Sequence, residues 1–322
     1  MPLHPDLDAF LELAAAAPKP LSEMTAADAR IAYNRSTLAL DTPGPRVPVE
    51  QLQFAGRDGG TVQARLYRGL YRGPATGAAP VLLFFHGGGY VLGDLDSHDS
   101  LCRTLAQETP CAVLAIDYRR APEHRFPAAF HDAEDAYAWL LRHGTDHGLD
   151  TARVAVGGDS VGGTLATALC ISAREAGLPL PRHQLLLYPC TAAQQDSASH
   201  RRLERGFLLE RRTLQWMFGQ YLRDDRDRLD WRFAPLQAHD LRGLPPVTLA
   251  LAEYDPLVDE GHQYADRLRD AGVPVNLHVH AGMVHDFARL GNVVAEAGTL
   301  RLQLAHALGA ALNKSCVAPS CP

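Results

Sequence analysis

Hydrophobic residues along this chain form short runs separated by longer stretches with a helical period. In the first two runs, apolar and polar residues alternate, and Asp58-Gly59-Gly60 between them predicts a hairpin turn. The later runs are almost continuously apolar, as is typical of strands covered on both faces. The predicted strands span 49–54, 62–67, 81–85, 112–117, 153–157, 184–188, 247–252 and 275–280.

Stripes of apolar residues at helical spacing lie between most of these strands. The clearest predicted helix spans 292–312 and repeats an apolar residue along one face. Strands that alternate with helices predict a mainly parallel sheet of eight strands, antiparallel at its beginning, with helices on both faces. The other predicted helices span 97–108, 128–143, 161–176 and 257–271.

Two segments break this alternation. Residues 1–45 contain two predicted helices, 5–17 and 22–35, but no predicted strand. Because these helices have no strand to pair with, they must pack on the main body, and we interpret them as part of a helical cap. A second cap segment, 195–225, is rich in aliphatic and aromatic residues, although a simple amphipathic helix on the core is the alternative. The catalytic domain is then predicted at 46–194 and 226–314, and a tail at 315–322.

Composition excludes several classes of protein. The 322 residues are 46% hydrophobic and 21% charged, with a formal net charge of −6, which fits a globular chain and gives no basic footprint for nucleic acid. No apolar run is long enough to span a membrane, and an acidic N-terminus argues against a secretory signal. The six cysteines are scattered along the chain and show no metal-ligand spacing. We expect the protein to be cytoplasmic. Two of the cysteines, Cys316 and Cys321, lie in the predicted tail.

The strongest candidate chemistry lies where the strand 153–157 meets the helix 161–176. Gly158-Asp-Ser160-Val-Gly162 has the G-x-S-x-G spacing of a nucleophile elbow, in which the residues two away from the serine must lack a Cβ so that strand and helix can pack. A phosphate-binding or structural turn is the alternative. A Walker-type phosphate loop is disfavoured because Gly163 stands where its lysine should be.

Three consecutive glycines follow the strand 81–85 in the sequence His-Gly-Gly-Gly-Tyr, residues 86–90. Glycines in a row cost backbone entropy, and backbone N–H groups can converge on a developing oxyanion only where no Cβ intrudes. The pairing of this sequence with a nucleophile elbow therefore predicts an oxyanion hole rather than a merely flexible loop.

An acid and a base follow later strands. Asp255 follows the strand 247–252 and precedes Pro256, which favours an extended backbone at Asp255; helix capping is the alternative role, and Glu253 is the second candidate acid. His285 follows the last strand, and an imidazole can accept a serine proton at neutral pH. The order Ser160, Asp255, His285 is that of α/β-hydrolases.

Together HGGGY, DYRRAPEHRFPAA, GDSVGG, DPLVDE and His285-Asp-Phe resemble the hormone-sensitive-lipase-like carboxylesterases, bacterial family IV of the α/β-hydrolases. The resemblance implies an α/β-hydrolase fold with a helical cap, Ser160 as nucleophile, Asp255 as acid and His285 as base. It also implies oxyanion donors at the N–H groups of Gly88, Gly89 and Val161. Asp286 departs from the family, where glycine is common after the histidine.

The expected function is therefore hydrolysis of short- to medium-chain, water-soluble esters through an acyl-enzyme, with no metal or organic cofactor. An amidase or deacetylase using the same triad and a non-catalytic receptor on this fold are the alternatives. The expected partner is a small-molecule ester, and the resemblance allows a homodimer through the last strand. Five residues are predicted to line the pocket: Tyr90, Tyr188, Phe207, Leu208 and Trp216.

Overall fold

The fold is organised around one eight-stranded sheet. The structure is a computed structural model that describes residues 2–16, 19–69 and 77–313. Its strand order is β1-β2-β4-β3-β5-β6-β7-β8, and only β2 runs against its neighbours. The mainly parallel sheet with an antiparallel beginning is thus confirmed. The strands are β1 (Val49–Ala55), β2 (Thr61–Tyr67), β3 (Ala79–Phe85), β4 (Ala112–Asp117), β5 (Leu149–Asp159), β6 (His183–Leu187), β7 (Val247–Tyr254) and β8 (Val275–Val284).

Helices cover both faces of this sheet because its central strands are apolar on both sides. In β3, Leu83 and Phe85 belong to one buried cluster with residues of the helices at 128–143 and 161–175. Leu82 and Phe84 point the other way, into a second cluster with the helices at 99–108 and 296–313. These helices are α3 (Asp99–Glu108), α4 (Ala128–His143), α5 (Val161–Glu175), α8 (Val258–Asp270) and α9 (Glu296–Asn313).

The N-terminal segment forms α1 (Pro5–Ala15) and α2 (Ala26–Leu40), with a 3₁₀ turn at Leu21–Glu23 between them. Thr25 caps α2 because its hydroxyl accepts the N–H of Asp28. The helix runs to Leu40, beyond the predicted end at 35. The predicted last residue of α1, residue 17, lies outside the described part of the chain.

The segment 195–225 contains α6 (Ala198–Arg202) and α7 (Arg211–Tyr221). The domain boundaries stay predictions, and the predicted tail, with Cys316 and Cys321, lies outside the described residues. Within the ranges that the structure describes, no helix has the length and apolar character needed to cross a bilayer.

Several strands are longer than predicted, and the extensions of β5 and β8 lead directly to candidate site residues. β5 continues to Asp159 because that residue still pairs with Leu187 of β6. β8 continues to Val284, which lies opposite Tyr254 at the end of β7. The candidate site therefore starts where paired strands stop rather than in free loops.

Candidate active site

Ser160 occupies a sharp turn between β5 and α5. Its backbone has φ 54° and ψ −123°, a conformation that costs a non-glycine residue about 1–3 kcal/mol. A Cβ on Gly158 or Gly162 would overlap the carbonyl oxygen of Phe85 in the neighbouring strand. The two glycines thus have the steric role that their spacing predicts, and they let the serine stand above the sheet.

The register between the last two strands brings the candidate acid and base together. Because Tyr254 lies opposite Val284, the next residues of the two strands, Asp255 and His285, are neighbours. His285 Nδ1 lies 2.6 Å from Asp255 Oδ2, and His285 Nε2 lies 3.1 Å from Ser160 Oγ. All three residues are buried. This is the geometry of a nucleophile, a base and an orienting carboxylate.

Asp255 uses both carboxylate oxygens. Oδ2 contacts His285, while Oδ1 accepts the N–H of Leu257 at 2.8 Å, just before α8 begins. The carboxylate thus contacts the base and closes the turn that leads into α8, but it does not cap the helix, whose N-cap residue is Leu257. The second candidate acid, Glu253, instead accepts the N–H of Gly282 at 2.8 Å.

The protonation of His285 depends on two opposing effects. Burial lowers the pKa of the imidazole, whereas the charge of Asp255 and its hydrogen bond raise it, with smaller contributions from Asp286 and Asp159. The raising effects win, so the pKa of His285 lies above the ordinary value of about 6.5. An imidazolium formed during proton transfer from Ser160 is therefore stabilised.

The predicted oxyanion donors lie beside Ser160. Gly88 and Gly89 have φ of 110° and 62°, and within the described residues neither N–H donates a hydrogen bond to another protein group. Val161 is the first residue of α5, so its N–H has no acceptor inside the helix. All three line the same cavity as Ser160 and His285.

A buried carboxylate holds the glycine loop next to the elbow. Asp159 Oδ1 accepts the N–H of Gly87 at 2.9 Å, and His98 Nε2 lies 3.1 Å from the same oxygen. Burial alone would raise the pKa of Asp159, but His98 lowers it to about 2. Asp159 is therefore an anion that fixes the loop from behind. Its position beside Ser160 was visible in the sequence, whereas His98 carried no signal there.

A cavity of about 160 Å³ opens onto Ser160. The N-terminal segment lines it with Leu21, Tyr33 and Leu40, and the segment around α7 lines it with Leu209 and Met217, among others. Both segments predicted as a cap thus contribute to the cavity. Because most of these side chains are aliphatic, the cavity suits an apolar acyl or alkyl group.

Of the five residues predicted to line this pocket, the structure places only Leu208 on its wall. Tyr90 stacks on Tyr221 with ring centroids 3.9 Å apart and is buried behind the wall. Tyr188 is also buried, with its ring centroid 4.8 Å from that of His285. The rings of Phe207 and Trp216 pack against Tyr254 and against the core, respectively.

Sequence reasoning missed a polar part of the cavity wall. Tyr33 and Thr37 of α2 lie there together with Asp286 and Arg289, which follow His285. The one available signal was Asp286, an aspartate where the resembling family commonly has glycine. Its backbone φ of 67° is a conformation that glycine adopts readily and aspartate tolerates.

A family model described as the alpha/beta hydrolase fold matches residues 82–289. An ethyl acetate hydrolase of Pseudomonas putida is 42% identical over 318 residues, which cover 96% of this chain and 99% of that protein. The carboxylic ester hydrolase LipN of Mycobacterium tuberculosis is 43% identical over 280 residues, covering 84% of this chain and 73% of that protein.

Solved structures give the same match at the level of the fold. The ester hydrolase EH1AB1 from the metagenome of Lake Arreo superposes with a TM-score of 0.92 at 37% identity, covering 97% of this chain and all of that chain (100%). A thermostable esterase from Pseudomonas putida has a TM-score of 0.92 at 32% identity, with 98% of this chain and 99% of that chain covered.

Proposed function

Because the chain belongs to the α/β-hydrolase fold family and is an esterase, we propose that it hydrolyses small esters through an acyl-enzyme formed on Ser160. The observation that carries this proposal is the contact chain from Ser160 Oγ to His285 Nε2, at 3.1 Å, and from His285 Nδ1 to Asp255 Oδ2, at 2.6 Å. These contacts open onto a cavity that can hold the ester.

In the first half of the reaction, Ser160 Oγ attacks the acyl carbon while His285 Nε2 takes its proton. The carbonyl oxygen becomes an oxyanion that accepts hydrogen bonds from the N–H groups of Gly88, Gly89 and Val161. When the tetrahedral intermediate collapses, the bond to the alcohol oxygen breaks and His285 returns the proton to that oxygen. The alcohol leaves, and the acyl group stays on Ser160.

In the second half, His285 removes a proton from a water molecule, whose oxygen attacks the acyl carbon. The bond to Ser160 Oγ then breaks, the serine takes the proton from His285, and the acid leaves. Asp255 keeps its charge throughout, because its role is to orient the ring and to stabilise the imidazolium.

The size of the cavity supports short to medium acyl chains. A cavity of about 150 Å³ in another protein holds one benzene molecule, and this one is close to that volume. An acetyl or butyryl group fits in such a space, whereas a long alkyl chain must extend out of it. The relative named ethyl acetate hydrolase agrees with a small substrate.

Profiling the acyl chain with 4-nitrophenyl esters from acetate to decanoate tests this proposal. We expect kcat/KM to be highest for the short and medium chains and to fall for decanoate, and Ser160→Ala to abolish turnover. Ser172→Ala is a matched control, because Ser172 lies in α5 and hydrogen-bonds Glu134 away from the cavity. A folded sample without ester turnover, or full turnover by Ser160→Ala, would refute the proposal.

We further propose a cytoplasmic location and a homodimer that pairs through β8. The four cysteines within the described ranges are free and buried, which supports a reducing compartment. β8 is the outermost strand of the sheet, and Val279 on it is 43% exposed, which supports pairing with a second copy. Light scattering of the protein and of Val279→Lys tests the dimer, since only the variant should be monomeric.

A further inference from the structure

Arg289 is the most heavily bonded charged side chain on the cavity wall. It is only 5% exposed, and its guanidinium contacts four groups. Nε donates to Asp286 Oδ1 at 2.9 Å, and Nη2 donates to Asp286 Oδ2 and to the hydroxyl of Tyr33. Nη1 donates to Thr37 Oγ1 at 3.0 Å and to the carbonyl oxygen of Ser97 at 3.1 Å.

These partners belong to three separate parts of the molecule. Asp286 is the residue after the candidate base, Tyr33 and Thr37 lie on α2, and Ser97 lies before α3 in the segment that follows the glycine loop. The arginine therefore joins the histidine loop, the N-terminal segment and the body of the sheet at a single point. The planar fork of a guanidinium suits such a task, because it offers several donors in fixed directions.

Asp286 has a backbone conformation that favours glycine, so its presence calls for a reason. It stands at φ 67° before the short 3₁₀ turn Phe287–Arg289, and its carboxylate binds the guanidinium at the end of that turn through both oxygens. A glycine would fit this backbone better but would leave the buried cation of Arg289 unpaired. The ion pair thus closes the turn that begins next to His285.

We propose that the Asp286–Arg289 pair is a positioning device for His285, and that α2 contributes to the chemical step through Tyr33 and Thr37. The proposal rests on the proposed function, in which His285 takes the proton of Ser160. With the pair intact, the turn after His285 is tied to α2 and to Ser97, which keeps the imidazole within 3.1 Å of the serine oxygen. The arginine itself makes no contact with the three catalytic groups.

Such a device affects kcat more than KM. A reacting group displaced by about 1 Å can slow a reaction by about 100-fold, while an apolar substrate keeps most of its contacts with the cavity. We therefore expect Arg289→Met to lower kcat by about 10- to 100-fold with KM changed less than threefold. Arg289→Lys keeps the charge but not the fork, so it should recover part of the loss.

Arg30 provides a matched control. It ties α2 to the body of the protein by donating to the carbonyl oxygens of Val91 and Ala121 and to Glu123. Within the described residues it does not line the cavity, and it makes no hydrogen bond to the turn after the candidate base. Arg30→Met should therefore loosen α2 and leave kcat within about threefold. An equal loss of kcat in Arg30→Met and Arg289→Met would mean general loosening of α2 and would overturn the proposal.

A double variant keeps the test possible if Arg289→Met does not fold. Tyr33→Phe combined with Thr37→Val removes the hydrogen bonds of α2 to Arg289, together with the bond from Thr37 Oγ1 to the carbonyl oxygen of Tyr33 within the helix, and we expect kcat to fall by about 3- to 10-fold. The proton NMR signal of His285 Nδ1–H, measured in the Ser160→Ala background, should shift in the Arg289 variants and stay unchanged in Arg30→Met.

The outcomes separate this inference from the proposed function. If the wild-type protein turns over no ester, the proposed function fails. If the wild-type protein is active and the Arg289 and Tyr33/Thr37 variants keep both its kcat and its imidazole signal, only the positioning role fails. Loss of kcat in these variants alone, with the shifted signal, supports the role.

Discussion

The cavity has two walls that are built in different ways. Its inner wall, which consists of Gly88, Gly89, Ser160, Val161 and His285, is formed by residues at the ends of paired strands and at the start of α5. The outer wall consists of side chains from the 3₁₀ turn and α2 and from the segment around α7: Leu21, Tyr33, Leu40, Leu208, Leu209, Leu214 and Met217. The inner wall is fixed by backbone geometry and the outer wall by side-chain packing.

This difference separates chemistry from substrate selection. Strand register sets the distances among the candidate catalytic groups, so a change there alters the transition state. The outer wall contacts only the parts of the substrate that do not react, so a change there alters which acyl chain fits. Substitutions in the inner wall should therefore lower kcat by orders of magnitude. Those of the aliphatic residues and Met217 in the outer wall should mainly redistribute kcat/KM among substrates, whereas Tyr33 also holds Arg289.

The largest effect is expected for the carboxylate behind the inner wall. Asp255→Asn keeps the shape of the side chain but removes the charge that fixes the tautomer of His285 and stabilises its protonated form, so we expect kcat to fall about 10⁴-fold. Initial rates on 4-nitrophenyl butyrate measure this loss. Glu253→Gln is the control, because Glu253 faces Gly282 instead. If Glu253→Gln lost more activity than Asp255→Asn, our assignment of the acid would be wrong.

The second prediction concerns the pH at which kcat/KM falls. Catalysis needs the neutral imidazole of His285, and Asp255 holds the pKa of this group above its ordinary value. The acid limb of kcat/KM should therefore have its midpoint above about pH 6.5, and the rate should fall about tenfold for each further pH unit below it. A full pH profile measures the midpoint. A midpoint below 6.5 would contradict the balance of charges described for the inner wall.

The smallest effect is expected in the outer wall. Leu214 is 3% exposed and lines the cavity, so Leu214→Ala should enlarge the space and shift the preferred acyl chain toward greater length. We expect kcat on the acetate ester to stay within about fivefold, although the buried truncation destabilises the fold by about 2–5 kcal/mol. Leu229→Ala, at a leucine that is 68% exposed, is the control. A large loss of kcat for every chain length would show that the two walls are not separable.

The sequence predicts the inner wall of the cavity better than the outer wall. The inner wall was predictable because its backbone needs particular residues: a Cβ at Gly158 or Gly162 would overlap Phe85, and Gly89 at φ 62° lies directly against Met217. Strand and helix periods also predicted the mainly parallel sheet with helices on both faces, because both faces of each central strand are buried, but they did not predict the strand order.

The outer wall could not be predicted in the same way. A helical period shows which face of a helix is buried but not what covers it. Tyr90 follows the glycines and was expected in the pocket, yet it stacks on Tyr221 behind the wall. Conversely, Tyr33 and Arg289 are far apart along the chain and meet only in the folded protein.

Trapping the acyl-enzyme tests the central claim most directly. Wild-type protein mixed with excess 4-nitrophenyl butyrate, quenched in acid within milliseconds and digested with trypsin should carry one butyryl group on the peptide 154–174, with fragmentation placing it on Ser160. The same experiment with Ser160→Ala should give no acylated peptide. An acyl group on another residue, or sustained ester turnover by Ser160→Ala, would contradict the account.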